Sequence, residues 1–278
     1  MKQLFDTYSY TASKNVTKAY STSFYAGVKC LDKSIRDDIH AIYGLVRFAD
    51  EIVDSFHDYE KSTLLAEFHK ATFDAIERGI SLNPILNAFQ ATVNKYSIDH
   101  SLINQFFHSM EMDLNPQDYD QAKYEEYILG SAEVVGLMCL KIFVFGDEKE
   151  YQRLKPSAMK LGSAFQKINF LRDLKDDFNE LGRLYFPGLN AHEITVEDKQ
   201  RIEAEIEEEF REAYIGIKQL PKSSRFGVYV SYVYYVKLLR KIKRKTAHEL
   251  MQNRIRVPNN TKLLIFARSY VQNSMNLL

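Results

Sequence analysis

The sequence predicts an all-α protein, a single-domain bundle of helices, on three observations. Polar residues recur at helical spacing: Gln166, Asn169, Asp173 and Asp177 stand 3, 4 and 4 apart, and Tyr43, Arg47, Asp50 and Asp54 stand 4, 3 and 4 apart. At about 3.6 residues per turn each set falls on one narrow stripe, successive members roughly 6 Å apart. The positions around both stripes are apolar (Ile42, Leu45, Val46, Phe48, Ile52 and Val53; Phe165, Ile168, Phe170, Leu171 and Leu174), so both helices read as buried almost all round. Helix start and stop signals divide the rest of the chain.

A chain of 278 residues with 45% hydrophobic content can bury one large core, so residues 1–278 are read as one domain. The 37 basic and 37 acidic side chains cancel, which leaves no global field for nucleic acid; an anion site must be built locally. Cys30 and Cys139 lie in apolar surroundings without metal-ligand spacing and are expected to be buried free thiols in a reducing, cytoplasmic compartment. Residues 1–10 have no apolar signal core, and no run of about 18 apolar residues occurs, so neither export nor a membrane span is expected.

In chain order, residues 3–20 form a first helix, which Ser21-Thr22-Ser23 interrupts; hydroxyls there suit a helix cap or a phosphate. A second helix begins near Asp32 or Ser34 and carries the first stripe to about Phe56; Asp58, four beyond Asp54, is read as solvated. The third, Glu60 to Arg78, stops at Gly79. Asn83 caps and Pro84 opens a helix to Tyr96, and Asp99 opens another that runs through Asp113 to the Asn115-Pro116 stop. His100 and His108 on it are read as incidental. The long apolar helix from Tyr124 to Phe145 contains Gly130 and Gly136, each costing up to about 1 kcal/mol against alanine. Such glycines allow either tight helix packing or a break that admits a ligand. Gly182 ends the helix of the second stripe, and Arg183-Leu184-Tyr185-Phe186-Pro187 forms a loop placed to close over the site. Thr195 and Asp198 make a capping box for a helix to about Gln219, with a solvated acidic face. Ser223 or Ser224 starts a tyrosine-rich helix, and Thr261 to Met275 is the last. Repeats, low-complexity tracts and linkers are lacking.

Buried carboxylates need partners or metal. Two opposed stripes of hard oxygen ligands suit Mg2+, with Mn2+ an acceptable substitute. Arg47-Phe48-Ala49-Asp50-Glu51-Ile52-Val53-Asp54, the run from Gln166 to Asp177, and Gly182-Arg183-Leu184-Tyr185-Phe186-Pro187 resemble the aspartate-rich signatures of the squalene and phytoene synthase family. The resemblance extends from Ser21-Thr22-Ser23-Phe24 to Arg254-Ile255-Arg256-Val257-Pro258, nearly the whole chain. It implies an isoprenoid-synthase-type bundle with a central cavity and, most like a bacterial phytoene synthase, head-to-head coupling of two prenyl diphosphates.

The same resemblance implies roles. Asp50, Asp54, Asn169, Asp173 and Asp177 become metal ligands. Ser21, Thr22, Ser23, Phe24, Tyr43, Arg47, Gln166, Asn169, Arg172, Arg183, Tyr185, Tyr235 and Arg254 become substrate contacts, with Tyr43 and Arg47 also counted with the four aspartates as catalytic. Two departures stand out: Thr22 replaces a lysine of some members, and Glu133 stands where glycine is usual. Two diphosphates and four aspartates sum to about ten negative charges, which cations must offset. The remaining cavity must be dry and aromatic to tolerate a carbocation, with Phe24, Tyr43, Phe165 and Tyr235 as candidates. Coupling passes through a cyclopropyl diphosphate; proton loss then gives phytoene, whereas hydride capture gives squalene. A Gly-rich dinucleotide fingerprint is lacking, so no NADPH is expected. Small residues near the presumed tunnel, Ala26, Gly27, Val28 and Gly44, point to an open floor and twenty-carbon substrates. The alternatives are a squalene or dehydrosqualene synthase using fifteen-carbon substrates, or a non-catalytic assembly factor of the same fold; such factors tend to lose the aspartates, which this chain keeps. Six cations at Lys237, Arg240, Lys241, Lys243, Arg244 and Lys245 suggest docking at an anionic bilayer surface.

Overall fold

The structure, a computed structural model, describes residues 1–114, 119–189 and 194–252 together with Ile255, Pro258, Ile265 and Ser269. Among the described residues every regular element is helical: α1 (Lys2–Tyr20), α2 (Thr22–Val28), α3 (Lys33–Ser55), α4 (Lys61–Arg78), α5 (Pro84–Tyr96), α6 (His100–Leu114) and α7 (Gln121–Ile128) come first. A wide π turn (Leu129–Glu133) leads into α8 (Val134–Phe143), followed by α9 (Glu148–Leu181), α10 (Val196–Gln219), α11 (Lys222–Lys243) and α12 (Ala247–Gln252).

The local signals act as their chemistry requires. Asp32, Asn83 and Asp120 cap α3, α5 and α7 with side-chain oxygens on backbone N–H groups, and Gly79 and Gly182 end α4 and α9 in the left-handed region. Thr195 accepts from the Asp198 N–H at 3.1 Å to cap α10. Ser21 separates α1 from α2 and its Oγ accepts from the Phe24 N–H at 3.2 Å, so the expected interruption is a single residue. α11 starts at Lys222 after Pro221, a residue or two earlier than expected. The Asn115-Pro116 stop and most of the helix expected over 261–275 lie outside the described residues.

The apolar helix expected over 124–145 runs without a break from Gln121 to Phe143 but contains a π turn, where the chain is pinched from two sides. A Cβ on Gly130 would come within 2.5 Å of the Gln105 carbonyl oxygen and 2.7 Å of the Ser109 Cβ of α6. On the other side, a Cβ on Gly162 of α9 would meet the Ala132 carbonyl at 2.9 Å. The backbone between these crossings adopts the wide turn, a geometry frequent at functional sites.

Two apolar clusters flank the centre of the molecule. One gathers Leu45, Phe89, Phe106, Phe107 and Met138 from α3, α5, α6 and α8; the other gathers Ile168, Leu171, Ile206 and Leu238 from α9, α10 and α11. Several expectations are corrected here. The acidic face of α10 is not simply solvated: Glu203 and Glu209 are buried, Lys199 pairs with Glu203, and Glu209 accepts from Ser163 at 2.8 Å and Lys167 at 2.9 Å. The Glu209 contacts join α10 to α9, whereas Lys199 and Glu203 pair within α10; buried charges must be paired. Cys30 and Cys139 are free but only half-buried; burial pushes the Cys139 thiol up to about 12. Gly44 is not at the cavity. It faces Ser13 and Ile85, each within 3.2 Å of where its Cβ would stand, and so lets α1, α3 and α5 approach. His108 lies at the surface against Glu126, and His100 packs on Phe73.

Candidate active site

A central cavity of about 470 Å³ lies between α2, α3, the π turn with α8, α9, α10 and α11. Its two ends differ in chemistry. Around Leu31, Leu140, Leu154, Ile217 and Leu220 the wall is aliphatic, whereas Ser21, Ser23, Tyr43, Gln166, Asn169, Arg172 and Tyr235 supply polar atoms. The helical spacing on α9 explains this gradient: successive turns present Leu154, Ala158, Leu161, Phe165, Asn169 and Arg172 to the same space.

The polar end is ordered by side-chain contacts. Tyr235 donates to Asn169 Oδ1 at 3.1 Å, Asn169 donates to Gln166 Oε1 at 3.3 Å, and Gln166 donates to Ser131 Oγ at 3.2 Å. Phe165 stacks on Tyr235 with centroids 3.9 Å apart, and Phe24 stacks on Tyr43 at 4.8 Å. Four aromatic faces therefore border the cavity in fixed orientations.

The two aspartate pairs sit on α3 and α9, and they feel one another. Burial, then the charge of Asp54, pushes Asp50 up to about 7. Burial, then Asp173, pushes Asp177 up to about 8; Asp54 and Asp113 add to the rise and Arg183 opposes it. Asp54 on α3 thus acts on Asp177 on α9. Arg183 bridges the helices: its N–H donates to the Asp177 carbonyl at 2.9 Å and its Nη1 to Asp54 Oδ1 at 2.7 Å. Arg172 donates from Nε to Asp173 Oδ1 at 2.9 Å. Arg47 pairs with Glu51 and lies over the Tyr20 ring at 4.5 Å, while its Nε is buried without a hydrogen-bond acceptor.

These shifts set a pH dependence. A carboxyl whose folded pKa lies above its unfolded value binds protons more tightly when folded, so its stabilisation is complete below the unfolded value and lost as pH rises through the folded one. Asp50 and Asp177 start from 3.8, so the thermal midpoint of the protein in chelator is expected to fall between about pH 4 and 8. The gain on adding MgCl2 is expected to be larger at pH 8 than at pH 5. A midpoint that rises steadily over that interval in chelator would contradict this electrostatic assignment.

Among the described residues, no three His, Cys, Asp or Glu side chains already converge as a metal cage. Guanidinium groups stand against Asp54 and Asp173. The donor chemistry nonetheless fits a hard divalent cation: carboxylates on facing helices, two of them pushed up by burial and mutual repulsion, next to the Asn169 amide.

Not every residue implicated by the sequence borders the cavity: Arg47, Asp50, Asp54, Asp173 and Asp177 do not line it. Thr22 is exposed and points away from it. Arg183 and Tyr185 are buried with Asp113 and do not line the cavity; the loop packs them against the aspartate helices rather than over the substrate space. Arg254 lies outside the described residues. Asp113 and Tyr127 were missed: Tyr127 donates to Asp113 Oδ2 at 2.7 Å and Tyr185 to Asp113 Oδ1 at 3.1 Å. One signal pointed to Asp113. It continues the apolar stripe Ile103, Phe106, Met110 at helical spacing, where a charge demands a partner.

A family model described as squalene/phytoene synthase matches residues 17–261. Phytoene synthase 1 of Arabidopsis thaliana is 28% identical over 255 residues, which cover 84% of the chain and 60% of that relative. The chain thus spans less than two thirds of its length. A presqualene diphosphate synthase of Rhodopseudomonas palustris is 27% identical over 180 residues, covering 64% of the chain and 62% of that protein. Among solved structures, a dehydrosqualene synthase in complex with a ligand superposes with a TM-score of 0.82 at 18% identity, covering 97% of the chain and 98% of the other. At that identity the likeness establishes the helical fold alone.

Proposed function

Since the chain belongs to the squalene/phytoene synthase family, we propose that it couples two geranylgeranyl diphosphates head to head to give phytoene. The observation that carries this reading is the graded cavity: Asp50 of α3 and Asp173 of α9 act on Tyr43 and Tyr235 at the polar end of a space whose other wall is aliphatic. A diphosphate belongs at the first end and a prenyl tail at the second.

Asp50, Asp54, Asn169, Asp173 and Asp177 would hold Mg2+. When bound there, the ion offsets the diphosphate charge and stabilises departing pyrophosphate. Arg47, with its unpaired Nε, and Arg172, at the cavity wall, supply permanent positive charge to the same anions. As the C–O bond of the first substrate breaks, pyrophosphate leaves with the electron pair and an allylic cation remains. The aromatic faces of Phe24, Tyr43, Phe165 and Tyr235 stabilise it without attacking it, and the aliphatic wall excludes water. The double bond of the second substrate attacks the cation and loses a proton, which closes the cyclopropyl ring. The second diphosphate then leaves, the skeleton rearranges, and a further proton loss yields phytoene without a reductant.

Product analysis with purified protein and each prenyl diphosphate, with and without NADPH, tests the reading. Coupling of two farnesyl diphosphates is the second reading, favoured by the likeness to a presqualene diphosphate synthase.

The reading includes contact with a bilayer through the end of α11. Arg240, Lys241, Lys243, Arg244 and Lys245 are exposed there; Lys243 reaches Glu207 at 2.6 Å and Lys245 reaches Glu249 at 2.7 Å, which neutralises part of the charge. No described helix is long and apolar enough to cross a membrane. At about 1 kcal/mol per near-surface cation, sedimentation with anionic vesicles is expected at low salt and not with neutral ones. Equal recovery in both supernatants would reject it.

A further inference from the structure

Asp113 carries a burden that the proposed reaction leaves unexplained. It sits at the end of α6, its side chain only 3% exposed and paired with Arg183. Tyr127 and Tyr185 each give a hydroxyl to its carboxylate, at 2.7 and 3.1 Å. Arg183 Nε stands 3.4 Å from Oδ1, and Arg183 Nη2 donates to the Asp113 backbone carbonyl at 2.9 Å. The Arg183 side chain, 6% exposed, is thus held along one edge by Asp113. Nη1, on the other edge, meets Asp54 Oδ1 at 2.7 Å. Stacking locks the frame: Tyr127 on Tyr185 at 4.7 Å, and Tyr185 on Phe170 at 4.2 Å.

A guanidinium offers parallel N–H groups that match a carboxylate two at a time. With a single carboxylate in reach, Arg183 would close on Asp54 with both. Here the Asp113 carboxylate stands as the counter-ion of Nε, which makes no hydrogen bond, while the Asp113 backbone carbonyl accepts from Nη2, and Asp54 is left with one donor and one oxygen free of Arg183. We propose that Asp113 is a positioning residue that divides Arg183 between two carboxylates and so keeps Asp54 open to a divalent cation. This rests on the metal-dependent reading above. A purely structural role, in which Asp113 only fastens the 182–189 loop to α6, predicts a different result.

The test is calorimetric titration of MgCl2 into protein saturated with inorganic pyrophosphate, for wild type, Asp113→Asn, Arg183→Gln and the double variant. Asparagine keeps an acceptor for a tyrosine hydroxyl while removing the charge that competes for Arg183. Asp113→Asn is expected to weaken Mg2+ binding about tenfold, the scale of losing an outer partner of a ligating carboxylate. In the Arg183→Gln background the same change is expected to have no further effect, because the group through which Asp113 acts is gone. Wild-type affinity in Asp113→Asn, or equal factors in both backgrounds, overturns the proposal. If Asp113→Asn does not fold, Tyr127→Phe carries the test. It loosens the same carboxylate and is expected to weaken Mg2+ binding by a smaller factor; unchanged affinity overturns the proposal. Wild type that takes up no Mg2+ refutes the metal-dependent reading itself, a result separate from either outcome for the variants.

Discussion

Asp173→Asn is expected to lower turnover of prenyl diphosphate at least about 100-fold, the scale on which loss of one electrostatic stabiliser is felt in a transition state. The fold should survive. Asp173 lies on the polar stripe of α9, and its Arg172 partner keeps Tyr235 close by, so the change removes charge and not volume. A loss of about 1 kcal/mol, the upper end for a pair that keeps solvent contact, would move the melting midpoint of a chain this long by about 2–4 °C. Activity and stability therefore separate in this variant, which distinguishes a ligand from a packing residue. Wild type in chelator should match the variant in rate, and excess MgCl2 should rescue the former alone. Full turnover in either case would remove the aspartates from the mechanism.

Geranylgeranyl diphosphate is expected to outcompete farnesyl diphosphate. Five additional carbons buried at about 0.8 kcal/mol each amount to about 4 kcal/mol, nearly a thousandfold. The wall supports that assignment with small side chains. Ala26 and Gly27 from α2, Gly136 from α8, Ala158 and Gly162 from α9, and Ala213 and Gly216 from α10 all border the cavity. α9 alone lines it from Leu154 to Arg172, about 27 Å of helix at 1.5 Å per residue. Gly216 is fixed by close packing, since a Cβ there would stand 2.4 Å from the Ser157 Cβ. A Gly216→Val substitution would drive a branched side chain into that contact and is expected to disturb the α9–α10 crossing. Competition between the two substrates, with product identified, decides the matter. Preference for the shorter chain, or a product formed only with NADPH, would leave the squalene-type reading in its place.

The sequence by itself determined the helices and the residues that share a stripe. Caps, stops and i, i+3, i+4 recurrence are local properties, so Asn83, Thr195 and Gly182 act where their spacing placed them, and the two aspartate pairs each occupy one helix. The resemblance of the motifs identified the family for the same reason, because motifs are short and contiguous. Which stripe faces which was settled only by packing. Gly44 and Gly27 are equally small, yet one meets α1 and α5 and the other the cavity, since the direction of a residue depends on how its helix is rotated against its neighbours. Arg183 looked like a residue above the substrate; a left-handed turn at Gly182 sends it back between α3, α6 and α9. Asp113 lies 59 residues from Asp54 and 70 from Arg183 in the chain, counted from their numbers. Only the closed bundle brings those three charges into hydrogen-bond or ion-pair range, where the low-dielectric interior makes their arrangement matter.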